Sequence, residues 1–153
     1  MNNDAMYVVR TEDDDARKLH VMLQCDDAFQ PPVAEKPDFQ EICQKIARYA
    51  VFLVAEESTS REPVGYAAMY ANDLTSRTAY ITLICVRECA QGKHVGSMLL
   101  KECFSRARQN GMEQIRLEVL DNNANAIRFY QHHGFVMEPV GSGHGSGYMS
   151  KEL

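Results

Sequence analysis

The apolar pattern of the sequence predicts an α+β domain built on a mixed sheet. Two strand-like runs, Val51–Ala55 and Val64–Tyr70, flank the polar segment 56–62, which is typical of an antiparallel hairpin. From Ala79 onward, strand-like and helix-like segments alternate, which favours strand–helix–strand units. With 153 residues, of which 45% are hydrophobic and 24% charged, the chain suits one globular domain spanning residues 1–153.

The segment before the hairpin predicts a short strand followed by two helices. Tyr7–Arg10 has the strand pattern, and Thr11 is suited to cap the first helix, with the acidic residues 13–15 near its positive end. Pro31 and Pro32 then interrupt the chain. After the prolines, apolar side chains recur at the spacing of a second amphipathic helix: Phe39, Ile42, Cys43, Ile46 and Ala47.

The second half of the chain predicts four strands, two helices and one loop. The strands are expected at Ala79–Val86, Ile115–Val119, Phe135–Glu138 and Tyr148–Leu153. The helices are expected at His94–Asn110, which ends before Gly111, and at Asn125–His132. The segment Gly141–Gly147 holds four of the nine glycines and predicts a mobile loop.

Charge and cysteine content narrow the classes of function. The net charge of −5 makes nucleic acid a poor partner, because binding to a phosphate backbone usually needs a basic excess. No apolar run approaches the length of a membrane span, and residues 1–10 lack the pattern of a secretory signal. The cysteines show neither a CxxC pair nor zinc spacing, so we expect no metal site and reduced, mostly buried thiols in a cytoplasmic protein: Cys25, Cys43, Cys85, Cys89 and Cys103.

One segment has the pattern of a phosphate-binding turn. Cys85–Ser97 runs from an apolar strand into an amphipathic helix, and Gly92 and Gly96 permit a tight turn with close backbone approach. Because the first turn of a helix has unpaired amides and a positive dipole end, the backbone from Gln91 to Ser97 can hold a diphosphate. A plain strand–helix connection is the alternative. The nucleoside-triphosphate loop and the dinucleotide fingerprint need spacings that the segment lacks.

This segment resembles the acetyl-CoA-binding motif of the GCN5-related N-acetyltransferases, the GNAT family. The family pattern is [QR]-x-x-G-x-[GA] after a strand, and Gln91 and Gly96 match it. His94 stands where the first patterned glycine usually lies. A side chain is tolerated there if the backbone is already helical, since the amide then still points at the phosphate.

A second segment, Asn123–Phe135, is similar to a later motif of the same family. It matches N-x-x-A-x-x-[FL]-Y-x-x-x-G-F at every patterned position. On a helix, Ala126, Phe129 and Tyr130 face one side together. Alone, the segment also fits an ordinary capped helix with an aromatic face. The two segments, in this order and at this distance, identify the chain as a member of the GNAT family.

The resemblance implies a fold and a cofactor. The fold is a mixed, mostly antiparallel sheet of about seven strands, flanked by about four helices, with a central splay between two parallel strands. The pantetheine arm of acetyl-CoA is expected in that splay, paired with backbone groups of Ile84 and Val86 as an added strand would be. Asn123 is expected to offer it a side-chain hydrogen bond. The cofactor-binding residues expected by resemblance are Ile84, Cys85, Val86, Gln91, Gly92, Lys93, His94, Val95, Gly96, Ser97, Asn123, Ala126, Phe129 and Tyr130.

The implied chemistry is direct attack of a neutral amine on the thioester carbonyl. By resemblance, Tyr130 is the expected general acid for the departing thiolate, and the Val86 amide is a donor to the carbonyl. Many relatives have a glutamate near the position of Thr82, whose strand carries no carboxylate here. The general base is therefore open between Glu118, His144 and a water chain.

The acceptor is expected to be a primary amine of a small molecule, held by segments 19–37 and 140–148. Amino sugars are a narrower resemblance, while peptide amines, lysines, polyamines and aminoglycosides stay open. Covalent catalysis by Cys85 is disfavoured, because direct transfer needs no acyl-enzyme. A non-catalytic acyl-CoA-binding module and an interaction domain without a nucleotide ligand are the other classes. A homodimer is common for the fold, and the sequence leaves the oligomeric state open.

Overall fold

The structure of the protein is a computed structural model that describes residues 6–153. Residues 1–5, which take part in the expectation about a secretory signal, lie outside the described residues. The chain divides into two compact units. Unit 1 consists of the described residues up to Met69 together with Leu83–Cys103. Unit 2 consists of Tyr70–Thr82 and Phe104–Leu153.

The described residues form seven strands and four α-helices. The strands are β1 (Tyr7–Thr11), β2 (Val51–Glu57), β3 (Pro63–Tyr70), β4 (Thr78–Val86), β5 (Gln114–Leu120), β6 (Val136–Met137) and β7 (Ser146–Glu152). The helices are α1 (Asp15–Gln24), α2 (Phe39–Tyr49), α3 (Val95–Gln109) and α4 (Ala124–His132). Each lies within a few residues of its predicted position.

The strands are hydrogen-bonded in the order β1-β2-β3-β4-β5-β7-β6. β1 pairs antiparallel with β2 and β2 with β3, and β7 pairs antiparallel with both β5 and β6. β4 and β5 pair in parallel. This mixed, mostly antiparallel sheet with four helices confirms the predicted fold class.

The β2–β3 hairpin forms the buried centre of unit 1. Its antiparallel register pairs Val51 with Met69, and the interiors of both strands are buried throughout. Continuous apolar runs of this kind are what strands covered on both faces require. The rings of Phe52 and Tyr66 stack at 5.2 Å between centroids. The predicted hairpin is confirmed.

The cap of α1 is Asp14, and the expectation of a cap at Thr11 is wrong. The Asp14 side chain accepts a hydrogen bond from the Arg17 amide at 2.9 Å. Thr11 belongs instead to β1, where it pairs with Leu53 of β2. Pairing with β2 therefore extends β1 by one residue beyond the predicted strand and delays the helix.

Glu12 closes the turn between β1 and α1. Its carboxylate accepts hydrogen bonds from the amides of Asp13 and Asp14 at 3.1 and 3.2 Å. It also pairs with Arg10 at 3.0 Å, and Arg10 reaches Glu56 of β2 at 3.1 Å. Glu12 and Glu56 are buried. Because each carboxylate is paired, burial of these charges is compensated, and the network ties β1 to β2 and to α1.

β5 is the centre of unit 2 and alternates between two environments. Ile115, Leu117 and Val119 are buried, whereas Arg116 and Glu118 lie on the more exposed face. This period of two is the signature of a half-buried strand. The predicted alternation of this strand is confirmed.

β7 begins two residues before its predicted start. Ser146 and Gly147 pair with Leu120 and Val119 of β5, so they belong to the strand and not to the predicted loop. The loop upstream is attached to its surroundings by the Ser142 amide, which donates to the Ser146 carbonyl at 3.1 Å. Because glycine has low strand propensity, the sequence pattern did not predict that β7 begins at Ser146.

All five cysteines are free thiols outside any disulfide, and three of them are buried. Within residues 6–153, none of the helices combines the length and the apolar character that crossing a membrane would need.

Candidate functional site

The candidate phosphate-binding turn lies in unit 1 between β4 and α3. After a short 3-10 turn at Glu88–Ala90, the chain passes through two residues with left-handed backbone, Gly92 (φ 77°) and His94 (φ 65°). The four residues from Gln91 to His94 are exposed. A side chain at Gly92 would meet nothing within 4 Å. Glycine is therefore needed here for the backbone conformation and not for a close contact.

His94 does not have the helical backbone on which the sequence argument depended. α3 starts at Val95, and His94 lies in the left-handed region. Among side chains, histidine is one of those enriched in this region. The conformation, which a glycine adopts without strain, costs a residue with a Cβ roughly 1–2 kcal/mol.

The first turn of α3 has backbone amides that precede the helical hydrogen-bond ladder. The helical ladder starts where the Met98 amide donates to the His94 carbonyl at 3.1 Å. The amides of Val95 and Gly96 come before that bond, so they have no acceptor within the helix. The dipole of α3 adds partial positive charge at the same end. The Val95 side chain is buried and anchors the turn.

The end of β4 is held in a defined orientation next to this turn. The Gln91 side-chain amide donates to the Val86 carbonyl at 3.1 Å, and the Arg87 amide donates to the Val64 carbonyl of β3 at 2.7 Å. Because successive backbone groups of a strand point to opposite edges, the Val86 amide points away from β3. A Cβ at Gly65 would lie 2.5 Å from the Cys85 carbonyl oxygen, so glycine permits the close approach of β3.

Near its end, β4 contains the thiol of Cys85, which contacts the thiol of Cys25. Cys85 is buried, and burial, followed by its contact with Cys25, raises its pKa well above the ordinary value. The hydrogen bond with Cys85 and the charge of Arg87 lower the pKa of Cys25 although it is buried. Since the thiolate is the nucleophilic form, the surroundings of Cys85 disfavour covalent catalysis. Ile84 next to it is half-buried.

The parallel ladder between β4 and β5 is short. In register, Thr78–Ile81 lie opposite Gln114–Leu117. β4 continues to Val86 and β5 to Leu120, beyond the last registered pair. The backbone groups after Ile81 and Leu117 are therefore not part of the registered ladder.

α4 carries the second motif within unit 2. Asn123 is its N-cap, and the Oδ1 atom accepts a hydrogen bond from the Ala126 amide at 3.1 Å. The Nδ2 donor is not part of this cap. Ala126, Phe129 and Tyr130 are half-buried, as their shared face predicts. The Tyr130 ring packs edge-on against Phe129 at 5.4 Å and Phe135 at 5.6 Å, and these contacts fix its orientation.

The two candidate bases, Glu118 and His144, are linked by one hydrogen-bonded chain in unit 2. The Ser146 hydroxyl donates to the Glu118 carboxylate at 2.5 Å and lies 2.6 Å from the Ser142 hydroxyl. The His144 amide donates to the same Ser142 oxygen at 3.0 Å. The glycine-rich loop is thereby joined to β5, while the His144 residue itself is exposed.

Sequence reasoning missed a group of polar and aromatic side chains on the exposed face of unit 2. Arg116 binds Glu138 through two hydrogen bonds of 2.9 and 3.1 Å, and its guanidinium lies 3.9 Å from the centroid of the Tyr148 ring. Tyr80 is opposite Arg116 in the β4–β5 ladder. The alternation of β5 signals an exposed face, but only strand register shows which residues share it.

Comparison with known proteins identifies the family of the chain. The family profile described as "Acetyltransferase (GNAT) family" matches residues 13–135. YdgE, an uncharacterised N-acetyltransferase of Bacillus subtilis strain 168, is 31% identical over 80 residues, which are 52% of this chain. The match spans only about half of that relative, 51% of its length.

Solved structures share the fold over nearly the whole chain. An acetyltransferase from Streptococcus agalactiae 2603 is similar with a TM-score of 0.77 and 18% identity, covering 96% of this chain and 98% of that one. The PaiA N-acetyltransferase from Thermoplasma acidophilum, solved in complex with coenzyme A, is similar with a TM-score of 0.73 and 14% identity, covering 97% and 99%. At such identities the likeness shows the fold, and the family match supplies the membership. The chain belongs to the GNAT family of acetyltransferases.

Proposed function

We propose that this chain works as a single acetyltransferase domain and moves the acetyl group of acetyl-CoA to a primary amine of a small molecule by direct transfer. The turn before α3 carries the proposal. Its left-handed residues, Gly92 and His94, lead into a helix whose first amides precede the hydrogen-bond ladder. A pyrophosphate is a ligand that such a turn suits, and membership of the family supports acetyl-CoA as its source.

Acetyl-CoA supplies the reactive thioester, and the residues of the chain bind and orient it. In this proposal, the backbone from Gln91 to Ser97 holds the pyrophosphate, with Lys93 as an exposed cation. The turn contains no carboxylate, so nothing in it repels an anion. The backbone of Ile84–Val86 pairs with the pantetheine amides. Asn123 Nδ2, Ala126 and Phe129 are the further residues that we propose to contact the arm.

Tyr130 is the proposed general acid for the departing sulfur. Its ring is held edge-on by Phe129 and Phe135, so its hydroxyl has a fixed direction. A phenol keeps its proton at neutral pH and can give it to a thiolate as charge develops on the sulfur. The Val86 amide, which points away from β3, is the proposed donor to the thioester carbonyl.

Three candidates remain for removing the proton from the amine: Glu118, His144 and a water chain. The Glu118 carboxylate is oriented by the Ser146 hydroxyl, whereas His144 is tied to the same chain through its backbone amide. Separate substitution to Gln decides between them. Substitution of the residue that acts as base lowers kcat and removes the limb of the pH–rate profile that reports its ionisation.

An acceptor screen with acetyl-CoA tests the proposal. It measures thiol release for an amino sugar, diamines, lysine, an aminoglycoside and a peptide with a free amino terminus. The N-acetylated product is measured by mass spectrometry, because the exposed Cys89 of the protein also reacts with thiol reagents. We expect one class of small amine to be acetylated. Acetyl-CoA binding without any acetylated acceptor would contradict the proposed activity and favour a non-catalytic module, for which the missing strand carboxylate at Thr82 is the argument.

Tyr130→Phe separates catalysis from binding. We expect kcat to fall by about 10²-fold or more, because the proton donor is lost while the ring and its packing remain. The affinity for acetyl-CoA, measured by calorimetry, should be unchanged. Tyr49→Phe is the matched control, since Tyr49 is 52% exposed on α2. Full turnover by Tyr130→Phe would contradict the role of Tyr130 as acid.

A further inference from the structure

The exposed face of unit 2 brings a carboxylate next to two tyrosines. Glu118 and Tyr148 are directly opposite each other in the β5–β7 register, and Tyr80 is opposite Arg116 in the β4–β5 register. Residues directly opposite in a sheet share a face, as do residues two apart along a strand. Tyr80, Glu118 and Tyr148 therefore lie on one face, and we call them the face cluster.

The positive charge of Arg116, which lies on the same face as the face cluster, is already neutralised. The Arg116 guanidinium binds the Glu138 carboxylate through two hydrogen bonds and stacks on the Tyr148 ring at 3.9 Å. This bidentate geometry is the strongest form of a carboxylate–guanidinium pair. Arg116 is thus held by Glu138 and Tyr148 and turned toward them.

The carboxylate of Glu118 has no such cationic partner. Within the part of the chain that the structure describes, no ion pair includes Glu118. The residue is exposed, yet its carboxylate is oriented by the hydroxyl of Ser146, which is itself 6% exposed. An oriented and unneutralised carboxylate on an open sheet face is suited to attract a cation.

The negative charge of Glu118 affects the ionisation of Tyr80 on the same face. Partial burial, followed by the charge of Glu118 and the neighbouring Tyr148, raises the pKa of the Tyr80 phenol, and the opposing charge of Arg116 does not outweigh them. Tyr80 thus stays neutral at pH 7 and offers an aromatic surface. A ring next to a carboxylate favours organic ammonium groups, because the ring face adds cation–π attraction to the ion pair.

We propose that Glu118, beside Tyr80 and Tyr148, binds a positive charge of the acceptor that is retained during transfer, so that the acceptor class is amines with a second cationic group. This inference rests on the proposed acetyl transfer. Glu118 is the first residue after Leu117, where the β4–β5 ladder ends. The face cluster therefore lies within unit 2, at the residue of β5 that follows the ladder.

The second charge follows from the chemistry of the reaction. The attacking amine must be neutral, whereas direct contact with a carboxylate favours the protonated form of an amine. The partner of Glu118 is therefore a group other than the attacking amine. An amino sugar with one amine has no second positive charge, whereas a diamine keeps one ammonium group while its other amine reacts. Glu118 then acts in recognition, and removal of the proton falls to His144 or to water.

Matched acceptors test the inference. Linear diamines of increasing chain length are compared with amino alcohols of the same length, in which a neutral hydroxyl replaces the second ammonium. We expect kcat/KM to be about tenfold higher for the best diamine than for its amino alcohol, as one ion pair with an aromatic neighbour would give. In Glu118→Gln the ratio should approach one, through a higher KM for the diamine.

Three further variants separate recognition from general effects. Glu113→Gln removes the same charge from an exposed residue just before β5 and should preserve the ratio. Tyr80→Leu should lower the preference for the diamine, and Tyr80→Phe should restore most of it, because phenylalanine keeps the aromatic face. Circular dichroism of each variant verifies folding.

Calorimetry measures direct binding of 1,4-diaminobutane to the protein. This measurement distinguishes failure of the cation site from failure of the proposed acetyl transfer. Binding that depends on Glu118, without acetylation of any amine, would support the cation site and contradict the transferase. Acetylation of diamines and amino alcohols with equal kcat/KM, unchanged in Glu118→Gln, would overturn the cation site and leave the transferase intact.

Discussion

At the scale of single residues, two left-handed positions on either side of Lys93 define the candidate phosphate-binding turn. Gly92 adopts φ 77° without strain, whereas His94 adopts φ 65° and carries a Cβ. A turn is present where the pattern of Gln91 and Gly96 predicted one, and its binding of a phosphate stays a prediction. The pattern did not show the left-handed conformation of His94, because a residue type indicates backbone angles only weakly outside glycine and proline.

Substitutions at His94 test this backbone conformation. His94→Gly should change the free energy of unfolding by less than about 1 kcal/mol, because relief of strain is offset by the greater freedom of the unfolded chain. His94→Val should lower it by roughly 1–2 kcal/mol, because a β-branched side chain is poorly accommodated at positive φ. Urea unfolding measures both. The neighbouring Lys93→Val, at an exposed residue without positive φ, is the control. Equal stability of the two valine variants would contradict the assigned conformation.

At the scale of elements, the junction of β1 and α1 shows what a sequence pattern conveys and what it omits. Thr11 has the residue type of a cap, and the acidic run after it fits a helix start. The strand continues through Thr11 because Leu53 pairs with it, and Asp14 becomes the cap. The decisive information lies in a strand some forty residues away, and no local pattern contains it.

The same reason explains why α4 was well predicted and the exposed face of unit 2 was not. Asn123 and Gly134 bound a helix whose period and cap are local, so its start and end are readable from the sequence. Tyr80, Arg116 and Tyr148 come together only through strand register, which depends on long-range pairing.

Glu12 provides the prediction at this scale. Burial by itself would raise its pKa, but hydrogen bonds from the Asp14 amide and Arg10 outweigh burial and lower it. A lowered pKa in the folded state gives stability that is present above the unfolded value, near 4.3, and is lost as the pH falls through the folded value. Glu12→Gln should therefore lower the free energy of unfolding by about 1–2 kcal/mol at pH 7, with the difference from wild type shrinking toward pH 3.

Urea unfolding at the two pH values measures this effect. Glu35→Gln is the control, because it removes one carboxylate from an exposed position of unit 1. A Glu12→Gln deficit that stays the same at pH 3 would contradict the proposed role of the charged hydrogen bonds.

At the scale of the whole molecule, the family match establishes membership of the GNAT family, and the strands form one seven-stranded sheet. The two motifs predicted this membership because they combine local backbone requirements with fixed spacing. The acceptor was not predictable in the same way. Its proposed determinants, Glu118 and Tyr80, lie on separate strands whose alternation fits any half-buried sheet.

Calorimetric titration with acetyl-CoA tests the central claim, that the turn from Gln91 to Ser97 holds the cofactor. Gly92→Asp and Gly143→Asp are a matched pair, since both glycines have φ near 80° and open space for a side chain. Wild type and Gly143→Asp should bind acetyl-CoA alike. Gly92→Asp, which places a carboxylate in the turn, should weaken binding by about tenfold or more through repulsion of the pyrophosphate. Equal affinity of all three proteins, or no binding by wild type, would contradict the account.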